Sequence, residues 1–192
     1  ALRGMEKGHE WLVSLNPGGK LLNLRGFVGT GELAYAATVA DIALDGHRGI
    51  PFTRNASTEV VGYEHGLRLS VNATDLQLGF PATFRDDWDI EQAQGMLDIW
   101  FGNGYIGIRA PAFAVVRGTT HAAGSLALVR PPQRDETRLS LLIAVDQASV
   151  AQAKTYVPYK LPEAVTRWLA DGPRKGRLSD ITFAFHGRVK AG

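Results

Sequence analysis

Between Leu67 and Thr74 apolar and polar residues alternate without a break: Leu67, Leu69, Val71 and Ala73 fall on one side, Arg68, Ser70, Asn72 and Thr74 on the other. A strict period of two predicts a β-strand with one buried face. The alternation then changes phase, because Leu76, Leu78 and Phe80 are even-numbered, so a bulge or bend near Asp75 is needed to keep the whole set on one face. Leu97, Ile99 and Phe101 run into Gly102-Asn103-Gly104, and Ile106 and Ile108 follow at once, which predicts a hairpin. Comparable runs, punctuated by Gly, Asn and Asp, predict strands at Leu21 to Val28, Leu33 to Leu44, Glu59 to Tyr63, His121 to Val129, Arg138 to Val145 and Ile181 to Val189. The fold class is mainly β and antiparallel.

Two stretches depart from this period. Leu2, Met5, His9 and Leu12 have helical spacing ahead of Asn16-Pro17-Gly18-Gly19, although Gly4 and Gly8 each weaken a helix by roughly 1 kcal/mol relative to Ala. Pro162, suited to a first helical turn, opens a second stretch of about residues 161–171, which puts Leu161, Val165, Trp168 and Leu169 on one stripe and stops at Asp171-Gly172-Pro173. That helix should pack on a sheet edge or cap an end. The polar tract Arg130 to Glu136, with Pro131-Pro132, reads as a loop. Neither an internal repeat nor a dividing linker is evident, so residues 1–192 read as a single β-rich segment.

Composition excludes more than it selects. A chain of 192 residues with a formal charge of +2 can build one substantial core and is steered toward neither nucleic acid nor a charged membrane surface. Its basic residues are scattered, without the interleaved aromatics of a nucleic-acid face. The absence of cysteine removes disulfides, thiolate catalysis and cysteine-held metal clusters. No apolar run approaches the roughly 20 residues of a membrane helix, and no basic start precedes an apolar core, so any targeting segment is expected outside this sequence.

Candidate chemistry is sparse. Asp86, Asp87, Asp89 and Glu91 form the densest carboxylate cluster, the kind of group that glycoside or metal-assisted hydrolysis uses, but a polar stretch between apolar runs reads first as an exposed loop anchored by Trp88 and Ile90. His9, His47, His65, His121 and His186 have no spacing that puts two ligands on one element, so no metal is expected. Gly26, Gly29 and Gly31 follow a strand, but Leu33-Ala34-Tyr35 continues as another strand, where a phosphate loop needs a helix N-terminus. Serine-elbow and Walker motifs are absent. Asn55-Ala56-Ser57 and Asn72-Ala73-Thr74 fit the glycosylation sequon, a pattern short enough to recur by chance. What remains is a set of one-sided apolar strands, which periodicity alone reads as the core of a β-sandwich in preference to a ligand groove.

The C-terminal quarter carries a more specific signal. Tyr156-Val157-Pro158, Leu161-Pro162, Arg167-Trp168-Leu169, Gly176-Arg177-Leu178 and Phe185-His186-Gly187 succeed one another at the spacing of a tract in the YhdP branch of the AsmA-like proteins, which the chain resembles. Leu15-Asn16-Pro17-Gly18-Gly19, Gly49-Ile50-Pro51 with Asn55 and Gly62, and Leu76-Gln77-Leu78 with Pro81 and Phe84 resemble further segments of that family, in order.

This resemblance, to TamB-related bridge-like lipid carriers of the Gram-negative envelope, implies a piece of a longer periplasmic protein anchored in the inner membrane. It also implies a twisted antiparallel sheet folded into a half-open trough, along which phospholipid acyl chains pass toward the outer membrane without catalysis or cofactor. The residues expected to line the trough are Leu67, Leu69, Val71, Leu76, Leu78, Phe80, Leu139, Leu141, Ile143, Phe183 and Phe185. The alternatives are a non-catalytic β-sandwich for scaffolding or adhesion, and a hydrolase built on the Asp86 to Glu91 cluster. Open sheet edges would invite edge-to-edge self-association of such a piece.

Overall fold

The computed structural model describes residues 16–30, 32–46, 51–102, 104–133, 136–150, 154–158, 163, 167, 171–172 and 175–189. They form nine strands: β1 (Gly18–Gly29), β2 (Glu32–Leu44), β3 (Phe52–Tyr63), β4 (Gly66–Gly79), β5 (Trp88–Gly102), β6 (Tyr105–Arg117), β7 (Thr120–Arg130), β8 (Arg138–Ser149) and β9 (Arg177–Arg188). The strands lie in one open sheet in chain order, each antiparallel to the next. Tight turns make this meander possible: Gly104 at φ 79° and Gly118 at φ 57° take backbone conformations that side chains disfavour, joining β5 to β6 and β6 to β7.

A single sheet cannot bury what a sandwich buries. The chain exposes 13,445 Å², about 1.5 times the ~8,900 Å² expected of a compact monomer of 20.8 kDa. No large side chain among the described residues is completely buried. The tightest cluster is Ala73 and Leu76 of β4 with Ile90 and Ala93 of β5, against which Ala56, Val71, Leu78, Trp88 and Val115 pack. With one layer in place of two facing sheets, the sandwich expectation is replaced by the open, curved sheet.

The bend expected near Asp75 is present. Asp75 has φ 55°, and on either side of it Ala73 and Leu76 are both buried, so the face is kept while the numbering changes parity. It belongs to a series: Asn23, Asp41, Asn55 and Asp180 also hold φ between 51° and 57° inside strands, the conformation that Asn and Asp tolerate best among residues with a side chain. Register shifts accompany several of them, between Leu22 and Arg25, Val39 and Ile42, and Arg54 and Thr58. Each such irregularity bends a strand and adds right-handed twist, which is how a meander acquires the curvature of a trough.

Two expectations need correction and two lie elsewhere. Asp86 and Asp87 precede β5, but Asp89 and Glu91 stand on it: Trp88 pairs with Leu78 and Ile90 with Leu76, so the presumed loop is largely strand. β3 begins at Phe52, ahead of the expected Glu59, because Asn55 interrupts the alternation without ending the strand. The helix expected over about 161–171 falls mostly outside the described residues. Of it, Glu163, Arg167 and Asp171 are helical, and Arg167 donates to Glu163 at 2.7 Å. The helix expected near Leu2 to Leu12 lies outside them entirely.

Candidate functional site

Cross-strand partners in an antiparallel sheet point to the same side, so the register defines each face. One row crosses all nine strands: Leu21, Val39, Thr58, Val71, Gly95, Phe113, Gly124, Ile143 and Phe183. A parallel row on the same face runs Gly26, Tyr35, Gly62, Leu67, Ile99, Ile108, Leu128, Leu139 and Gly187. Neither row contains a charge. At about 4.8 Å per strand spacing, each extends about 38 Å.

All eleven residues expected to line a trough relate to this face. Leu67 and Leu139 share the second row, and Val71, Ile143 and Phe183 share the first. Leu69 pairs with Val60 and Leu97, and Leu141 with Leu126 and Phe185. Beyond the Asp75 bend, Leu76 pairs with Ile90 and Leu78 with Trp88. Phe80 follows β4, its ring 5.2 Å from that of Trp88. The face grades from buried to open: Leu76 is 5% exposed and Phe183 53%. At two of the glycines in these rows, Gly62 and Gly124, a ring from the neighbouring strand covers the gap. A Cβ at Gly62 would run into the Tyr35 ring, and one at Gly124 into the Leu142 carbonyl and the Phe113 ring.

The opposite face carries the charge. Its row Arg25, Ala36, Val61, Arg68, Asp98, Arg109, Ala127, Ser140 and His186 is polar at both its centre and its β9 end. Arg68 Nε donates to Asp98 Oδ1 at 2.6 Å. That bond holds the Asp98 carboxyl below the ordinary carboxylate value and raises Arg68. Gln77 donates to Asp89 at 3.0 Å, and Ser140 Oγ meets His186 Nδ1 at 2.8 Å. At the β1–β2 end, Lys20 pairs with Asp41 at 2.7 Å, which raises the lysine, and Arg54 pairs with Asp45 at 2.8 Å. Asp45 is lowered chiefly by the Asn16 amide and then by Arg54.

The carboxylate cluster is dispersed. Asp89 receives Gln77, Glu91 receives the Gly118 N–H at 2.9 Å, and no group of metal-ligating side chains occurs among the described residues. His65 lies in the β3–β4 turn, His121 is exposed on β7, and His9 and His47 fall outside the described residues.

A family model described as YhdP protein matches residues 5–191. The chain belongs to the YhdP family. No curated protein and no solved structure matches it. The family match covers the whole sheet, so the nine strands and their apolar rows are properties of a YhdP-family segment and not of a flanking domain.

One constellation of this YhdP-family chain is invisible in its sequence. Phe80, Phe84 and Trp88 form an aromatic cluster with ring centroids 4.8 to 6.1 Å apart, and Tyr156, from the 3₁₀ turn Lys154–Tyr156, adds its ring at 5.2 Å from Trp88. Arg117 donates to Tyr156 Oη at 3.1 Å and Thr155 Oγ1 at 3.3 Å, with its guanidinium 5.6 Å from the Tyr156 ring centre. The Lys154–Tyr156 turn therefore lies against β5 and β6, three and two strands away from β8. The buried indole Nε1 of Trp88 finds no acceptor. Tyr156 is the first residue of the family tract, the only hint of this contact in the sequence.

Proposed function

We propose that the apolar face is the floor on which phospholipid acyl chains lie, and that the protein is a non-catalytic segment of an envelope carrier moving phospholipid between inner and outer membranes. The observation that carries this reading is the pair of charge-free rows running unbroken from β1 to β9 on a single open layer. YhdP-family membership supports it.

The physics suits the role. Burial of a sixteen-carbon chain contributes on the order of 12 kcal/mol at ~0.8 kcal/mol per methylene, with no special residue required. Movement along the floor needs a binding energy that changes little from strand to strand, which a continuous apolar surface supplies. The rows cross the strands, so the path runs along the strand order, and the strand ends form its two rims. On this reading the protein works in the periplasm, in a chain anchored in the inner membrane. No helix among the described residues is long and apolar enough to cross a membrane. The scaffolding alternative needs apolar faces packed on each other, and a single layer leaves this one open to a ligand.

Native mass spectrometry of the protein purified from a Gram-negative host, followed by solvent extraction, tests the proposal. Phospholipid at stoichiometric occupancy is the expected result. A clean apo mass that stays unchanged with added dioleoyl-phosphatidylglycerol refutes it.

A further inference from the structure

The apolar face is not uncharged at its ends. Arg117 pairs with Thr120, two positions beyond Val115 and Ala122 and four beyond Phe113 and Gly124, with no register shift between, so it stands on the same face as the first row. Arg130, opposite Ile106, stands on that face two positions beyond Leu128 and Ile108. Thr120 and Arg130 are ten residue steps apart along β7, about 33 Å of strand. The face thus has a cation at either rim of β6–β7, and the Ala110–Leu126, Ile108–Leu128, Phe113–Gly124 and Val115–Ala122 pairs between them contain no carboxylate.

Arg117 is unusual in its partners. Its hydrogen bonds go to two neutral hydroxyls, both from Nη1, its guanidinium also faces a ring, and among the described residues it makes no ion pair. Glu91, the nearest cross-strand carboxylate, is engaged by the Gly118 N–H and makes no ion pair with Arg117. A guanidinium offers five N–H donors in a fork that matches phosphate. Trp88, its ring centre 5.2 Å from that of Tyr156, carries a buried N–H that is a further donor without an acceptor. An apolar floor ending at a cation that is not tied up in an ion pair has the chemistry of a whole phospholipid: tails along the strands, phosphate at the rim.

Resting on the lipid-floor reading above, we propose that Arg117 is a phosphate-binding residue of the rim, held in place by Tyr156 and Thr155, that pairs with the headgroup phosphate of a phospholipid whose tails occupy the apolar face. It makes the floor selective for phosphate-bearing lipids over neutral ones with the same tails. Arg130 marks the corresponding position on the other rim.

The test compares dioleoyl-phosphatidylglycerol with dioleoylglycerol, which share their tails, by native mass spectrometry on wild-type protein, Arg117→Gln and Arg117→Lys. A charge-assisted hydrogen bond at a half-buried site predicts a wild-type preference for the phospholipid of about tenfold. Arg117→Gln should abolish most of that preference, and Arg117→Lys should retain part of it. Equal wild-type affinity for the two lipids overturns the assignment of Arg117 and leaves the floor standing, and it needs no variant to fold. Wild-type protein that binds neither lipid removes the floor itself and the inference with it. Inorganic phosphate that abolishes the preference at millimolar concentration, and binds in the absence of lipid, shows a free-anion site and overturns the headgroup assignment.

Discussion

Leu141→Asp separates an open floor from a closed core. Leu141 lies between Leu126 on β7 and Phe185 on β9, half-buried, and Phe185 is itself 37% exposed. Full burial of a leucine side chain is worth about 1.5–3 kcal/mol, so losing half of that costs about 1–1.5 kcal/mol of stability. On a single layer the new carboxylate reaches water, and the variant should fold, with a urea midpoint only modestly lowered. Lipid binding suffers more. An acyl chain crossing the site loses contact for two or three methylenes, about 2 kcal/mol, and must also strip water from a carboxylate, at least about 2 kcal/mol more. Together these amount to roughly a thousandfold in affinity. Lipid occupancy by native mass spectrometry and urea unfolding, measured on the same preparation, read the two effects, and Leu69→Asp on β4 should behave alike. A variant that loses more than about 4 kcal/mol of stability, as burying a charge in a sealed core does, refutes the open-floor geometry. A variant that folds and keeps its lipid refutes the role of the face.

Two further outcomes test the sheet. At Asp75, φ 55° penalises a β-branched side chain, so Asp75→Ile should cost about 1–2 kcal/mol in urea unfolding while Asp75→Gly stays within about 0.5 kcal/mol; equal tolerance of the two would show that the bend is not fixed by this residue. The Arg68–Asp98 bond lowers the folded-state pKa of Asp98 below the ordinary 3.8. Its contribution to stability is therefore fully present above that value and lost as pH falls through the lower folded pKa. Asp98→Asn should flatten the decline in stability on acidification, and an unchanged acid limb would show the pair to be energetically silent.

Much of the sheet was legible because alternation survives wherever the backbone stays extended. β4 up to Ala73, β8 from Leu139 to Val145 and the β5–β6 hairpin all follow directly from it. It failed at Phe52 to Thr58 and at Trp88 to Gly95, where phase changes around Asn55 and opposite Asp75 scatter the apolar positions over both parities. An isolated Asn or Asp inside an apolar run is the readable sign of such a break, and only at Asp75 was it strong enough to use. The residues expected to line a trough were chosen by parity within a strand. That those on β4 share a face with those on β8 and β9 depends on the register across the intervening strands, which propensity does not encode. Arg117 and Tyr156 stood no chance of being paired from sequence, since 39 residues separate them and neither lies in a repeating pattern.

The strictly sequential strand order has a consequence for size. Each strand packs on the strands before and after it, so the sheet behaves as a one-dimensional stack whose stability is a sum of neighbour terms. Inserting or deleting one hairpin lengthens or shortens the stack by two strand spacings, about 10 Å, and leaves every other pairing intact. The length of the sheet is then a counting property, adjustable in steps by duplication of hairpins without redesign of any single part.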